Sequence, residues 1–284
     1  MLYNRDKGYT LPDRMETVHG YTPTGKKIMG ICNEVLHARG PNGKLVALKR
    51  PTSQLVVNTE QYKREMEALK KVRHRCVPHF VTGSDDVSPH IVTEWVEGVG
   101  MDAWLSQHMQ EQPNVKKHRE ELRKSFLALY HAHFALRCAH RQGIQHNDVK
   151  PGNLHMTARG AVLMDWGSSS KLGAEASPHY IGTPAYLSPE SAGGDQTLPE
   201  SDLYMLAATM YRICTGSLPH DVSNQGECLV QIMSGDIKPI RDRNPSMPRE
   251  IADVCMGGLK LKPEDRTPLE EFGKQLRKFM RKLR

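Results

Sequence analysis

The chain has 284 residues, of which 38% are hydrophobic and 25% are charged, and its formal net charge is +7. This mild basic excess contains no run of about five or six like charges, so we predict no nucleic-acid partner. No N-terminal segment suits a signal peptide, and no run approaches the roughly 18 apolar residues of a membrane span. We therefore predict a cytoplasmic protein with no membrane partner. The six cysteines form no C-x-x-C pair, and we predict that they are reduced thiols.

The predicted elements begin with an irregular arm over residues 1–25, which is rich in glycine and proline and has at most one short strand. Two strands follow, at Glu34–Arg39 and Leu45–Arg50. The residues Gly40-Pro41-Asn42-Gly43 between them predict a hairpin turn. The first part of the chain is therefore predicted to be rich in antiparallel strands.

A helix is predicted over Thr59–Arg73 by its apolar spacing. Asn58 is a suitable N-cap, with Gln61 three residues later as in a capping box. Short strands are expected near Phe80 and at Ile91–Val92. The remainder is predicted to be mostly helical, with further helices at Glu120–Arg141, Ser201–Thr215 and Glu250–Lys260.

A long region over residues 144–200 is rich in Gly, Pro and Ser and is predicted to be irregular. Loops of this length are usually functional. The region contains HNDVKPGN at residues 146–153 and DWG at residues 165–167. An aspartate, a lysine and an asparagine within a few residues, followed by a second aspartate, indicate a site for a hard cation with a positive charge nearby.

The residue types at these positions suit phosphoryl transfer. Asn153 and Asp165 carry the oxygen ligands that Mg²⁺ prefers, Lys150 can neutralise a moving phosphoryl group, and Asp148 can accept a proton. The pattern resembles that of eukaryotic-type protein kinases, whose catalytic loop reads H-R-D-x-K-x-x-N and is followed by D-F-G. The resemblance implies that Asp148 is the catalytic base and that Lys150 contacts phosphate. It also implies that Asn153 and Asp165 hold Mg²⁺.

More of the family pattern follows in order. Residues 182–190 read GTPAYLSPE and resemble the segment G-T-x-x-Y-x-x-P-E, which implies a platform for a peptide substrate. In this segment Thr183 is implied to serve the catalytic loop. Asp202 matches the aspartate that supports the catalytic-loop backbone. Arg266 matches the arginine that pairs with a buried glutamate, which here is Glu190.

Upstream, Val46-Ala47-Leu48-Lys49 resembles the V-A-I-K motif, so Lys49 is implied to reach the ATP phosphates while Ala47 admits adenine. Glu65 matches the helix glutamate that holds this lysine. Residues Thr93–Gly98 resemble the hinge, whose backbone would hydrogen-bond adenine. The nucleotide-binding residues implied by the resemblance are Gly30, Val35, Ala47, Lys49, Glu65, Glu94, Val96 and His155.

The matches cover roughly residues 28–270 and imply the α+β, bilobal protein-kinase fold. This fold has a small antiparallel-sheet N-lobe with one helix, a larger and mainly helical C-lobe, and ATP between them. The implied function is that of a protein serine/threonine kinase, which uses ATP and Mg²⁺ and phosphorylates Ser or Thr hydroxyls of protein substrates. The implied domains are an arm at 1–25, the N-lobe at 26–93, the hinge at 94–98 and the C-lobe at 99–284.

Three positions depart from the family pattern. The glycine-rich loop falls on residues 28–33, where only Gly30 survives and Ile28 is ill suited to a left-handed backbone. Asn147 replaces an arginine that commonly grips a phosphorylated activation loop, so we predict activity without phosphorylation of that loop. His155 stands where an apolar residue usually lies below adenine.

Two alternative functions stay open. A pseudokinase scaffold is favoured by the altered glycine loop and disfavoured by the intact Lys49, Asp148 and Asp165. A small-molecule kinase shares H-x-D-x-x-x-x-N but typically lacks a segment like residues 182–190. The basic residues 274–284 could bind an anionic membrane, but their apolar spacing favours a closing helix packed on the C-lobe.

Overall fold

The computed structural model describes residues 17–30, 32–52, 58–108, 115–174, 184–220 and 224–283. Contacts between residues divide the chain into two units. The first comprises the described parts of Met1–Val57 and Val81–Trp95, and the second comprises those of Asn58–Phe80 and Val96–Arg284. The chain therefore changes unit three times, and the last change, from the first unit to the second, falls between Trp95 and Val96.

The first unit is built on a five-stranded sheet of order β1-β2-β3-β5-β4, in which the pairings β1·β2, β2·β3 and β3·β5 are antiparallel. Alternate residues of the central strands point to a buried face that contains Leu36, Val46, Leu48 and Val92. The strands are β1 Thr22–Met29, β2 Asn33–Arg39, β3 Leu45–Pro51, β4 Phe80–Ser84 and β5 His90–Glu94.

The hairpin between β2 and β3 is confirmed. Gly43 has a φ of 78°, in the region that favours glycine, and its N–H donates to the carbonyl of Gly40 at 2.9 Å. The arm predicted over residues 1–25 allowed at most one short strand, and β1, which begins within it at Thr22, pairs with β2. This strand is exposed and has an irregular register between Pro23 and Lys27, so its sequence shows no apolar alternation.

The second unit begins with helix α1, Thr59–Lys71, where Asn58 accepts from the N–H of Gln61 as the predicted N-cap. It continues with short strands and helices. The strands are β6 Val99–Gly100, β7 Ile144–Gln145, β8 Leu154–Thr157, β9 Gly160–Leu163 and β10 Ser170–Lys171. The remaining helices are α2 Met101–His108, α3 Val115–Arg141, α4 Pro189–Gly193, α5 Pro199–Thr215, α6 Gln225–Ser234, α7 Ile240–Arg243, α8 Arg249–Gly258 and α9 Leu269–Lys282.

The core of the second unit forms around α3 and α5. Phe126 of α3 is fully buried and meets Phe279 of α9 edge to face, with ring centroids 5.2 Å apart. The closing helix predicted near the C-terminus is therefore confirmed. Helix α8 packs against α5, where the Cys255 thiol donates to the carbonyl of Ala207 at 3.2 Å. Burial raises the pKa of Cys214, also on α5, to about 12.

The region 144–200 is not irregular throughout, and this part of the sequence interpretation is wrong. Strands β8 and β9 form an antiparallel hairpin that pairs Leu154 with Leu163 and Thr157 with Gly160. Gly160 has a φ of 130°, and a Cβ there would lie 2.1 Å from the His131 ring, so only glycine fits. Strands of two to four residues are too short to show the alternation that reveals a strand in sequence.

Two buried histidines make the stability of the second unit sensitive to acid. Burial lowers the pKa of His133 and of His220 to about 4, from the ordinary value of 6.5. The unfolded chain therefore takes up these protons near pH 6.5 while the folded chain does so only near pH 4. Stability is at its full value above pH 6.5 and falls as the pH drops towards 4.

We expect the free energy of unfolding, measured by urea titration, to decrease steadily between pH 6.5 and pH 4. Each unit of pKa lowering corresponds to about 1.4 kcal/mol at most. His133→Leu should flatten this slope. An identical slope in the wild type and His133→Leu would contradict the assignment.

Within the described residues, no helix is both long and apolar enough to cross a membrane.

Candidate active site

One buried carboxylate holds the backbone of the HND segment. Asp202 lies in the first turn of α5 and accepts from the N–H groups of His146 at 2.9 Å and Asn147 at 2.8 Å. The Nε2 atom of His140, on α3, lies 2.8 Å from the same carboxylate. Burial would raise the pKa of Asp202, but hydrogen bonding and charge from His140, with the charge of His146, lower it below its usual value. The predicted support of this backbone is confirmed.

Asp148 is nearly buried and is surrounded by donors. The Lys150 ammonium lies 2.8 Å from both of its carboxylate oxygens. Asn153 donates its Nδ2 to the Asp148 carbonyl at 2.7 Å and to its Oδ2 at 2.8 Å. The structure therefore brings three of the predicted residues into direct contact. The 3₁₀ turn Pro151–Asn153 makes this contact possible, because it folds the chain back on Asp148.

A backbone hydrogen bond brings the residue before Asp165 next to this cluster. The N–H of Met164 donates to the Asn153 carbonyl at 2.8 Å, which fixes the start of the DWG sequence next to the catalytic-loop sequence. Asp165 is exposed and has a φ of 57°, which is uncommon for a residue other than glycine. Trp166 is fully buried, donates its indole N–H to the carbonyl of Leu163 at 3.0 Å, and so anchors the segment.

Helix α1 packs against the turn that follows Asp165. Arg64 donates its Nε to the carbonyl of Gly167 at 3.3 Å, and Ser169 donates its hydroxyl to the carbonyl of Arg64 at 3.4 Å. A Cβ at Gly167 would lie 2.7 Å from the side-chain nitrogen of Gln61. Because glycine lets the turn approach α1 this closely, the DWG glycine has a packing role in this chain.

A second buried carboxylate, Glu190, is the last residue of the segment 182–190. Arg266 donates to both oxygens of Glu190 at 2.7 Å, and Ser201 donates its hydroxyl to Glu190 at 2.6 Å. Burial would raise the pKa of Glu190, but the hydrogen bonds and charge of Arg266, with the Ser201 hydroxyl, lower it below its usual value. Arg266 uses its other donors on the carbonyls of Lys260, Glu200 and Leu261. The predicted pair is confirmed.

In the first unit, the sheet register collects three predicted nucleotide-binding residues. Val35 on β2 lies directly opposite Lys49 on β3. Ala47 lies two residues before Lys49 and therefore points to the same face. All three side chains are half-buried, whereas the neighbouring Val46 and Leu48 on β3 face the core. A small residue and a cation thus share one face of the sheet.

Strands flank the position of the glycine-rich loop on both sides. Ile28 lies in β1 opposite Val35, and Asn33 is the first residue of β2. Gly30 donates its N–H to the carbonyl of Asn33 at 2.7 Å, and a Cβ on Gly30 would lie 3.0 Å from that oxygen. Ile28 is therefore extended, and the expected difficulty of a left-handed backbone at this position does not arise.

The remaining predicted nucleotide-binding residues lie at the end of β5 and in the second unit. Glu94 ends β5 and is exposed, and the next N–H, of Trp95, donates to the carbonyl of Leu45 at 3.2 Å. In the second unit, burial lowers the pKa of His155, although its hydrogen bond to the backbone of Val96 opposes this shift. His155 is therefore neutral near pH 7. Glu65 is buried on α1.

Comparison with known proteins agrees with this geometry. The family model "Protein kinase domain" matches residues 26–276. This chain belongs to the protein kinase family. The kinase domain is 31% identical over 225 residues to serine/threonine-protein kinase PksC of Streptomyces coelicolor, covering 75% of this chain and 39% of that protein. It is 30% identical over 217 residues to serine/threonine-protein kinase PknB of Mycobacterium tuberculosis, covering 72% and 33%.

A further relative of the kinase domain is tyrosine-protein kinase MasK of Myxococcus xanthus, which is 29% identical over 157 residues, covering 52% of this chain and 24% of that protein. The chain thus spans less than two fifths of the length of these curated relatives. The predicted family and the α+β class, with an antiparallel sheet followed by a helical unit, are confirmed.

Not every predicted position of the kinase domain falls in the described structure. Thr183 lies outside the described residues, as does the rest of the segment 175–183. The following residues are described, and Ser188, which replaces the alanine of A-P-E, acts as N-cap of α4 by accepting from the N–H of Ser191. The alanine-to-serine change therefore has a local structural reason.

Two residues of the kinase domain have contacts that the sequence interpretation missed. His140 was not connected with Asp202, because nothing in the sequence relates positions 62 residues apart. Asn147 was interpreted only as a missing arginine. Its φ is 62°, a conformation that asparagine tolerates better than most residues, and this preference is the signal that sequence could have offered.

Proposed function

We propose that this kinase domain transfers the γ-phosphate of ATP to serine or threonine hydroxyls of proteins. The observation that carries the proposal is the Asp148 carboxylate, held between Lys150 and Asn153 on a backbone fixed by Asp202. Two of its relatives are named as serine/threonine-protein kinases, which supports the choice of acceptor.

Asp148 would orient the substrate hydroxyl and accept its proton as the new oxygen–phosphorus bond forms and the bond to ADP breaks. Lys150 lies 2.8 Å from the Asp148 oxygens and would stand beside the phosphoryl group, whose charge it would neutralise. Thr183 stays a proposed catalytic residue on the strength of its motif alone. The ion pairs and hydrogen bonds around Asp148 restrict its rotation, which favours a fixed position for the acceptor.

The residues also suit Mg²⁺. Asn153 turns its amide nitrogen towards Asp148, so its carboxamide oxygen points away from that carboxylate. Asp165 adds an exposed carboxylate. Both are the hard oxygen ligands that Mg²⁺ takes beside phosphate oxygens, so we propose Asn153 and Asp165 as its ligands. When bound, the ion would neutralise charge on the phosphates of ATP.

For the nucleotide we retain the predicted residues as proposals. The sheet face shared by Val35, Ala47 and Lys49 supports this role in the first unit, because it offers a cation beside a small and an apolar residue. The proposed nucleotide-binding residues are Gly30, Val35, Ala47, Lys49, Glu65, Glu94, Val96 and His155.

A cytoplasmic location is also proposed, and the six free cysteines support it. The domain limits 1–25, 26–93, 94–98 and 99–284 stay a prediction.

The acceptor residue is tested by incubating the pure protein with γ-labelled ATP and a generic protein substrate, with Mg²⁺ or with a chelator. We expect label only with Mg²⁺, and we expect phosphoamino-acid analysis to find it on serine and threonine. Predominant phosphotyrosine would place the chain with MasK in specificity. Nucleotide binding without any transfer would favour the pseudokinase alternative.

A further inference from the structure

Asn147 links two segments that both belong to the proposed active site. Its backbone N–H donates to Asp202, as described above. Its carboxamide Nδ2 donates to the carbonyl of Ser168 at 3.1 Å and to the hydroxyl of Ser170 at 2.8 Å. These two acceptors follow Asp165 by three and five residues. One side chain therefore connects the residue before Asp148 with the segment that begins at Asp165.

The neighbouring contacts show what this link adds. Strand β10 pairs Ser170 with Gln145 and Lys171 with Ile144 of β7. The start of the segment is held by Trp166 and by Arg64 of α1. Residues 165–171 are thus held at both ends, and the Asn147 contacts hold their middle.

The geometry suits asparagine. The backbone at Asn147 is left-handed, with φ 62°, which an asparagine adopts at little cost. The carboxamide orientation is determined by its neighbours, because a carbonyl oxygen such as that of Ser168 can only accept. All of these contacts join uncharged groups.

We propose that Asn147 is a positioning residue, whose carboxamide clamps residues 168–170 to the catalytic loop and so holds Asp165 in register with Asp148. The clamp rests on the proposed function for its catalytic consequence. It explains how the site can be ordered without a phosphorylated loop: two neutral hydrogen bonds act where the family's arginine would need a phosphate partner. Of the two acceptors of the carboxamide, the Ser170 hydroxyl is the one that belongs to a side chain.

The test uses three variants and a control. Asn147→Gly removes the carboxamide and keeps the left-handed backbone accessible. Ser170→Ala removes one acceptor, and the double variant removes both groups. Asn244→Gly is the matched control, because Asn244 also donates its Nδ2 to a backbone carbonyl, that of Cys214 at 2.7 Å, and lies outside the proposed site.

Two quantities are measured for each protein: amide hydrogen exchange of residues 168–172, and kcat and KM for phosphate transfer. One neutral hydrogen bond corresponds to roughly fivefold. We expect Ser170→Ala to speed local exchange and lower kcat about fivefold, and Asn147→Gly to do so about tenfold to thirtyfold, with KM for ATP little changed. The double variant should be no worse than Asn147→Gly. The control should alter neither local exchange nor kcat.

The exchange measurement separates failure of the clamp from failure of the proposed function. If the wild type transfers no phosphate, faster exchange in Asn147→Gly and Ser170→Ala still supports the clamp. Exchange at 168–172 that is equal in the wild type, Ser170→Ala and the control overturns it, whatever the activity. Additive effects in the double variant also overturn it, because groups that act through one contact cannot be additive. If Asn147→Gly does not fold, Ser170→Ala decides the question alone.

Discussion

Asp148→Asn is expected to lower phosphate transfer by about 10²- to 10⁴-fold while leaving binding of Mg-ATP intact. The physical reason is that a carboxamide has nearly the shape of a carboxylate but cannot accept a proton from the substrate hydroxyl. In addition, Lys150 now donates to both oxygens of Asp148, and an amide leaves it only one. The loss should therefore be in kcat, because neither change removes a proposed nucleotide contact.

Asp165→Ala should behave differently, because it removes a proposed Mg²⁺ ligand rather than the proton acceptor. We expect weaker binding of Mg-ATP, measured by calorimetry in the absence of an acceptor substrate.

Asp253→Asn, on the exposed side of α8, is the matched control for Asp148→Asn and should be fully active. Wild-type turnover in Asp148→Asn would show that the assignment of the catalytic loop is wrong.

Arg266→Met should give the largest loss of stability, about 3–5 kcal/mol in the free energy of unfolding. Arg266 donates to both oxygens of Glu190 and to three backbone carbonyls, and its side chain is buried. Without the guanidinium, burial would raise the pKa of Glu190 and leave it a carboxylate that is costly to keep charged. The Ser201 hydroxyl alone cannot compensate for that cost.

Urea unfolding of the purified variants measures this effect. Lys282→Met is the control, because Lys282 forms an ion pair with Glu250 in which both side chains are exposed. Exposed pairs are solvated and contribute little, so its unfolding midpoint should hardly change. Adding Glu190→Gln to Arg266→Met should recover part of the lost stability. Equal losses in Arg266→Met and Lys282→Met would contradict the prediction.

Much of the fold could be predicted because its signals are local. Asn58 caps α1 as its position predicts, and Gly43 turns the β2–β3 hairpin. The long helices show clear apolar stripes. Strand β1 could be predicted only as at most one short strand of the arm, because it lies exposed at the edge of the sheet and its register is irregular. The hairpin of β8 and β9 depends on the close approach of Gly160 to His131, which is a tertiary contact.

In the candidate active site, too, local contacts could be predicted from the sequence and contacts between distant segments could not. Asp148, Lys150 and Asn153 lie within six residues, so their meeting follows from one turn of chain. The contacts of Asp202 with His140, and of Asn147 with Ser170, join positions that are distant in sequence. Each depends on how packed elements bring two segments together. A single sequence indicates which residue types are present but not which of them meet across such distances.

The packing of α8 on α5 also gives the chain its own reporters of local opening. Cys214 and Cys255 lie fully buried in these helices, and burial raises the pKa of both thiols. A thiol reagent in solution can reach them only when the helices separate, whereas the partly exposed Cys32 and Cys138 need no such event. The labelling rate at Cys214 and Cys255, compared with that of a free thiol, therefore measures how often this core opens in the native protein.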